Sequence, residues 1–200
     1  FYFLHDNPAV LQPDREMDGV EWMLKLQGRG YDTVWSLIDR NIAVISSPLL
    51  KASLLKSGIR FRDGGAFLED WEFWLKLAFA GYSFHYLNHA EAFTSIRLHN
   101  RSVSNKHFNY MEEEVLTLRT KIDGFILQSY FNSEERQKLR DFNKIKFHEI
   151  FKRLIYNVGL LDVLKRLKKN LSAAEFLKYY AKSINYHRKK LFKSWKKRLG

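Results

Sequence analysis

Over the first forty residues the apolar positions come in short pieces, broken by Pro8, Pro13, Gly19, Gly28 and Gly30. That pattern predicts loops around one helix near residues 20–26. The text sharpens at Asn41. Ile42, Ala43, Val44 and Ile45 form an apolar, largely β-branched run of the kind that fits a short buried strand. Ser46, Ser47 and Pro48 then supply cap and first-turn chemistry for a helix reaching about Lys56, with Gly58 to close it. Asp63, Gly64 and Gly65 mark a loop, and residues 67–80 predict a strong helix stopped by Gly81. Two strands are expected next, over residues 82–87 and 92–99. Beyond Asn105 the periodicity turns helical, with breaks at Asn132-Ser133 and around residues 157–159. Ser172 and Glu175 form a capping box that opens a last helix from Ala173 to about Arg198.

Composition narrows what such a chain can be. With 200 residues, 46% hydrophobic and 16% aromatic, it can bury one sizeable core, so one domain with an appendage is the natural expectation. The absence of cysteine removes disulfides, thiolate metal sites and cysteine nucleophiles together and fits a reducing compartment. No run of about 18 apolar residues is present to span a bilayer. The chain opens at Phe1 without the basic flank of a signal peptide, and its start reads as a truncation. From Lys138 onward there are 19 Lys/Arg against 4 Asp/Glu, leaving 15 against 18 before that point, so the basic excess belongs to the last third.

The chemistry concentrates at Glu69-Asp70, two adjacent carboxylates at the first turn of an otherwise aromatic and aliphatic helix. Helical spacing puts Asp70 on the face of Phe73, Trp74 and Leu77, and Glu69 on that of Glu72 and Lys76, the wetter side. An inward carboxylate is costly unless paired or used, and the helix N-terminus partly offsets the cost. Held beside aromatic rings, it could act as a general base toward a hydroxyl. The plainer reading is that both carboxylates cap the helix and complement its dipole.

Several ordered motifs surround this pair. Asn41-Ile42-Ala43-Val44-Ile45-Ser46-Ser47, the Gly58 to Phe61 turn, Leu68-Glu69-Asp70-Trp71-Glu72-Phe73-Trp74-Leu75-Lys76-Leu77-Ala78, the Ala80-Gly81-Tyr82-Ser83-Phe84-His85-Tyr86 segment, and Ile96-Arg97-Leu98-His99 with Ser102 and Ser104 together resemble the second half of family 2 glycosyltransferases. The resemblance implies an α/β fold: a partial A-type glycosyltransferase domain, an incomplete sheet with flanking helices, over residues 1–104, followed by a basic α-helical appendage over 105–200. It also implies that Asp70 is the base for inverting transfer from a nucleotide sugar, in bacterial cell-surface polysaccharide synthesis. Glu69 and Trp71 would stand on the acceptor side, and Arg97 and His99 on the diphosphate side, with His99 a candidate metal ligand. Trp71 and Trp74 could wall a sugar ring, with core packing the stronger reading for Trp74.

Departures from the family bear equally on function. The nucleotide-binding strand, the acidic pair and the Asp-x-Asp motif that would bind the Mg²⁺ or Mn²⁺ of the complete enzyme are not found in these residues. Glu16-Met17-Asp18 has a similar spacing in the wrong context. The chain alone is therefore expected to have little or no transferase activity. His85 and His89 sit in an expected strand and turn, which removes a helical zinc site, and His5, His107, His148 and His187 are isolated.

The tail carries its own alternatives. Leu160, Leu161, Val163, Leu164, Leu167 and Leu171, then Phe176, Leu177, Tyr180, Ile184, Leu191 and Trp195, recur at helical spacing among lysines and arginines. Such helices can pack on the domain, attach to an anionic membrane surface, or bind nucleic acid; no recognition motif supports the last. Two functions of different class follow. One is a transferase portion acting on a sugar or lipid-linked glycan acceptor, in the cytoplasm or on the inner face of the cell membrane. The other is a non-catalytic cationic helical module that docks on membrane or on a protein.

Overall fold

In a computed structural model, residues 2–4, 11–13, 24–42, 45–64, 67–92, 95–97 and 108–158 are described, together with positions 162, 163, 177, 180, 181 and 184. The longer helices among them are Tyr31–Asp39 (α1), Glu69–Phe79 (α2), Phe108–Gln128 (α3) and Ser133–Val158 (α4).

Each helix has a local reason for its ends. Gly30, at φ 86°, turns the chain into α1, whose Val34, Leu37 and Ile38 then fall on one face and are fully buried. Gly81, at φ 82°, closes α2: its N–H donates to Ala78 and the N–H of Tyr82 to Leu77, the paired bonds of a Schellman motif. Between α3 and α4, Asn132 and Glu135 exchange side-chain bonds to each other's backbone N–H at 2.9 and 3.0 Å, a capping box at the expected break.

Helix α2 has buried residues on nearly every side; α1 and α3 pack against it, and α4 packs on α1 and α3. Trp74, Leu75 and Leu77 meet Leu37 and Ile38 of α1, Ile122 and Ile126 of α3, and Leu139 of α4 in one apolar cluster. Trp35 of α1 stacks on Phe142 of α4 with ring centroids 4.1 Å apart. Residues on both sides of position 105 thus share this core, and α3 and α4 pack into it.

A single charged side chain ties the four helices together. Arg119 of α3 is 2% exposed, and its guanidinium donates to the carbonyls of Ile38 and Asp39 at the end of α1 and to Asn143 Oδ1 of α4. It also lies 5.0 Å over the Trp71 ring of α2. The last carbonyls of a helix have no intrahelical partners and carry the negative end of its dipole, so a cation is well placed there. Burial holds the Arg119 pKa down to about 10, against the pull of Asp39, which leaves it protonated at neutral pH.

The α/β expectation is overturned. The interpretable part is 65% helical, and its helices pack on one another with no sheet between them. The strand segments, Tyr2–Leu4 (β1), Leu11–Pro13 (β2) and Ser95–Arg97 (β3), are three residues each and pair in the order β2-β1-β3. The incomplete sheet of an A-type glycosyltransferase domain is corrected with it. The reason is visible at Ile45, which stands in a turn and is 52% exposed, so the β-branched run has no neighbour to bury it there; Ala43 and Val44 lie outside the described residues. In the expected strand over 82–87, only Phe84 pairs, in an isolated bridge to Gly28.

Other expectations shift more modestly. The helix near residues 20–26 is not found over 24–27, which are extended or loop, and α1 begins at Tyr31 instead. The helix after Pro48 is a 3₁₀ turn over Ala52–Ser57, closed by Gly58 at φ 78°. The expected final helix falls mostly outside the described residues, although positions 177, 180, 181 and 184 are helical. No helix is long and apolar enough to cross a membrane, among the described residues.

Replacing Arg119 tests the four-helix junction. Arg119→Met removes the donors while leaving buried carbonyls and the Asn143 amide short of partners, and should destabilise the protein by about 3–5 kcal/mol in urea unfolding. Arg119→Lys should recover only part of that loss, because an ammonium cannot reach two carbonyls and stack on the indole at once.

Candidate functional site

The head of α2 is built on a strained residue. Leu68, at φ 61°, is the non-glycine residue with a left-handed backbone among those described, a conformation that costs roughly 1–3 kcal/mol in a side chain of this kind. Glycine would adopt it more easily, but Leu68 packs its side chain against the core. The strain aims the next two residues, Glu69 and Asp70, at the start of the helix.

Asp70 is half-buried, and its Oδ1 accepts the N–H of Trp71 at 2.6 Å. One of the four unpaired amides of the helix start is thereby satisfied, as the capping reading requires. Burial nevertheless pushes the Asp70 carboxyl above the usual aspartate range, with the charge of Glu69 adding to the rise; the Trp71 amide and the Asn41 side chain pull it back without cancelling it. Asp70 is thus a half-buried carboxylate with raised proton affinity.

Its neighbours on α2 are committed to the fold. Trp71 is 5% exposed; its indole N–H donates to the Leu37 carbonyl at 2.7 Å, and the Arg119 guanidinium lies over its ring. That geometry fixes Trp71 beneath Asp70 and leaves little of the ring to a ligand. Trp74 is 1% exposed and belongs to the core, in agreement with the packing reading.

The side expected to be wetter differs from expectation. Glu69 is partly exposed, but Glu72 is buried under three cations, Lys121 at 2.9 Å, Lys76 at 3.0 Å and Arg62 at 3.5 Å. Burial raises its proton affinity, and the bonds from Lys121 and Lys76 outweigh that, so the Glu72 carboxyl sits below the usual glutamate range. Arg62 also bonds Glu114 of α3 and the Phe67 carbonyl, which ties the loop before α2 to α3.

The diphosphate-side pair is not brought to this point by any described contact. Arg97 closes β3, with its backbone paired to Leu4, while its side chain and the whole of His99 lie outside the described residues. No group of three or more His, Asp or Glu side chains converges to hold a metal ion, among the described residues. Near Asp70 the acidic groups do not fit a divalent cation, because Glu72 is already neutralised by lysines. His85 Nδ1 bonds the Gln27 side chain at 2.9 Å, and His89 Nδ1 accepts the N–H of Glu91. A shallow cavity of about 250 Å³ lies along α1, lined by residues such as Lys25, Gln27, Asp32 and Ser36, and includes none of the expected site residues.

Two participants escaped the sequence reading. Asn41 was legible as the start of an apolar run and of a motif but was given no role, yet its side chain bonds Asp70 across the end of α1. Arg119 left a clearer signal: it interrupts the apolar stripe Val115, Ile122 and Ile126 of α3, where a charge must be buried or must break the packing. Comparison of the chain with protein-family models, with curated proteins and with solved structures finds no match.

The two carboxylates of α2 should titrate with opposite consequences. Asp70 holds its proton to higher pH in the folded state than in the unfolded one, so its contribution falls as pH rises from the ordinary aspartate range through the raised value. Asp70→Asn should therefore raise stability at pH 7 relative to the parent and flatten that fall, as read from urea midpoints across pH. Glu72 stabilises the fold above its unfolded pKa and loses that contribution as pH drops through its lowered folded value. Glu72→Gln should cost about 1–3 kcal/mol at pH 7, a figure kept below that for a sealed ion pair because the lysines reach solvent, and the cost should shrink in acid.

Proposed function

We propose that this chain is the acceptor-activating portion of an inverting nucleotide-sugar glycosyltransferase, with Asp70 as the base. The observation that carries the reading is the half-buried Asp70 carboxylate, its proton affinity raised by desolvation and its position fixed by Trp71, Asn41 and the strained Leu68. In the proposed step the acceptor hydroxyl gives its proton to Asp70. Its oxygen forms the bond to the anomeric carbon as the bond from that carbon to the nucleoside diphosphate breaks, with inversion. Glu69, partly exposed beside Asp70, would face the acceptor. Trp71 would act mainly by holding Asp70 in place.

The donor side would be supplied outside these residues' legible motifs, together with the Mg²⁺ or Mn²⁺ that neutralises the leaving diphosphate. Arg97 and His99 keep the diphosphate-side assignment that the family resemblance implies. The acceptor would be a sugar or a lipid-linked glycan, and the setting the cytoplasm, at the inner face of the membrane, in cell-surface glycan synthesis.

A second reading, a non-catalytic cationic helical module, is favoured by one observation: the Asp70–Trp71 bond already gives the carboxylate a structural task at the helix start.

Transfer assays with a panel of nucleotide sugars, with and without Mn²⁺, separate the two. In a form of the protein that turns over donor, Asp70→Asn should lower kcat by about 10²–10⁴-fold while leaving nucleotide binding nearly unchanged. Turnover at the parental rate would remove Asp70 from the role of base and leave the helical module.

A further inference from the structure

We propose that the C-terminal segment docks the protein on an anionic lipid surface through an apolar stripe at Leu177, Tyr180 and Ile184. These positions are helical, and their spacing of three and four residues puts them on one helix face. They are 65%, 39% and 47% exposed. Leu127 of α3 and Ile145 of α4 also leave a large apolar side chain in solvent, but here three recur at helical spacing. In the sequence the same spacing continues to Leu191 and Trp195.

Charge selects the occupant. Residues 165–200 hold 13 Lys/Arg against Glu175 alone, whereas residues 1–164 hold 21 basic and 21 acidic residues, so the entire net charge of +12 belongs to the last 36 residues. A second copy would present the same positive charge and be repelled. Duplex nucleic acid would accept the lysines, but its phosphates offer nothing to exposed Leu177 and Ile184. An anionic bilayer matches both halves of the pattern, with headgroups to meet the lysines and an acyl boundary to take the apolar side chains. The inference rests on exposure and charge and holds whether or not Asp70 is a base.

The test is cosedimentation of the whole chain with vesicles of phosphatidylcholine alone and of phosphatidylcholine mixed with phosphatidylglycerol. Binding is expected to the mixed vesicles and not to the neutral ones. The charge-preserving double variant Leu177→Gln/Ile184→Gln should weaken binding by about tenfold or more, and Lys189→Gln/Lys190→Gln/Lys193→Gln on the order of a hundredfold. An unchanged urea midpoint confirms that each variant is folded. Absence of vesicle binding, equal binding to neutral vesicles, or full binding by the Leu177/Ile184 variant would each overturn the proposal. So would tight binding to duplex DNA that the same double variant leaves intact while vesicles fail to compete.

Discussion

Everything in the helical body leans on the burial of one guanidinium. Arg119 takes the unpaired carbonyls at the end of α1, covers the indole of α2, bonds the Asn143 amide of α4 and is itself part of α3. Asn143 answers by donating to the Arg119 carbonyl and to Asp123, which fixes the register of α3 against α4. A cation removed from water is costly, and the cost is met here by carbonyl partners that no other group supplies. The arrangement also stops α1 where Asn41 can reach the head of α2. A junction so constrained favours one packing of the four helices over the alternatives that apolar contact alone would permit.

The head of α2 inherits its properties from that junction. Trp71 is pinned from below by Leu37 and Arg119, so its backbone N–H is held where Asp70 can bind it. Asp70 is then too enclosed to be freely hydrated, which is why its carboxyl is more basic than an exposed aspartate. Two residues on, Glu72 is buried among Lys76, Lys121 and Arg62, and its carboxyl moves the other way. Neighbouring positions on one helix thus carry a carboxylate able to accept a proton and one locked into ion pairing.

The basic, half-buried Asp70 supports a proton-accepting role. The helical packing around it does not provide the sheet that the family resemblance implied. The charge of the C-terminal segment is a separate matter: the first 164 residues are balanced, so the body can fold without regard to the lysines that follow it.

The amino-acid order by itself determined the strongest helix, its stop at Gly81, the break at Asn132 and the burial of Trp74. These are set by local rules: a 3.6-residue period, a glycine at positive φ, a capping side chain three residues from its partner. Tertiary structure decided the rest. Whether the run through Ile45 becomes a strand depends on a neighbour to pair with, and at Ile45 none is formed. Whether Glu72 faces water depends on Arg62 and Lys121, one from a loop and one from another helix. Whether Arg119 can be buried depends on carbonyls eighty residues away in the chain. Strand pairing and the burial of a charge are properties of contacts between distant segments, and periodicity along one segment cannot specify them.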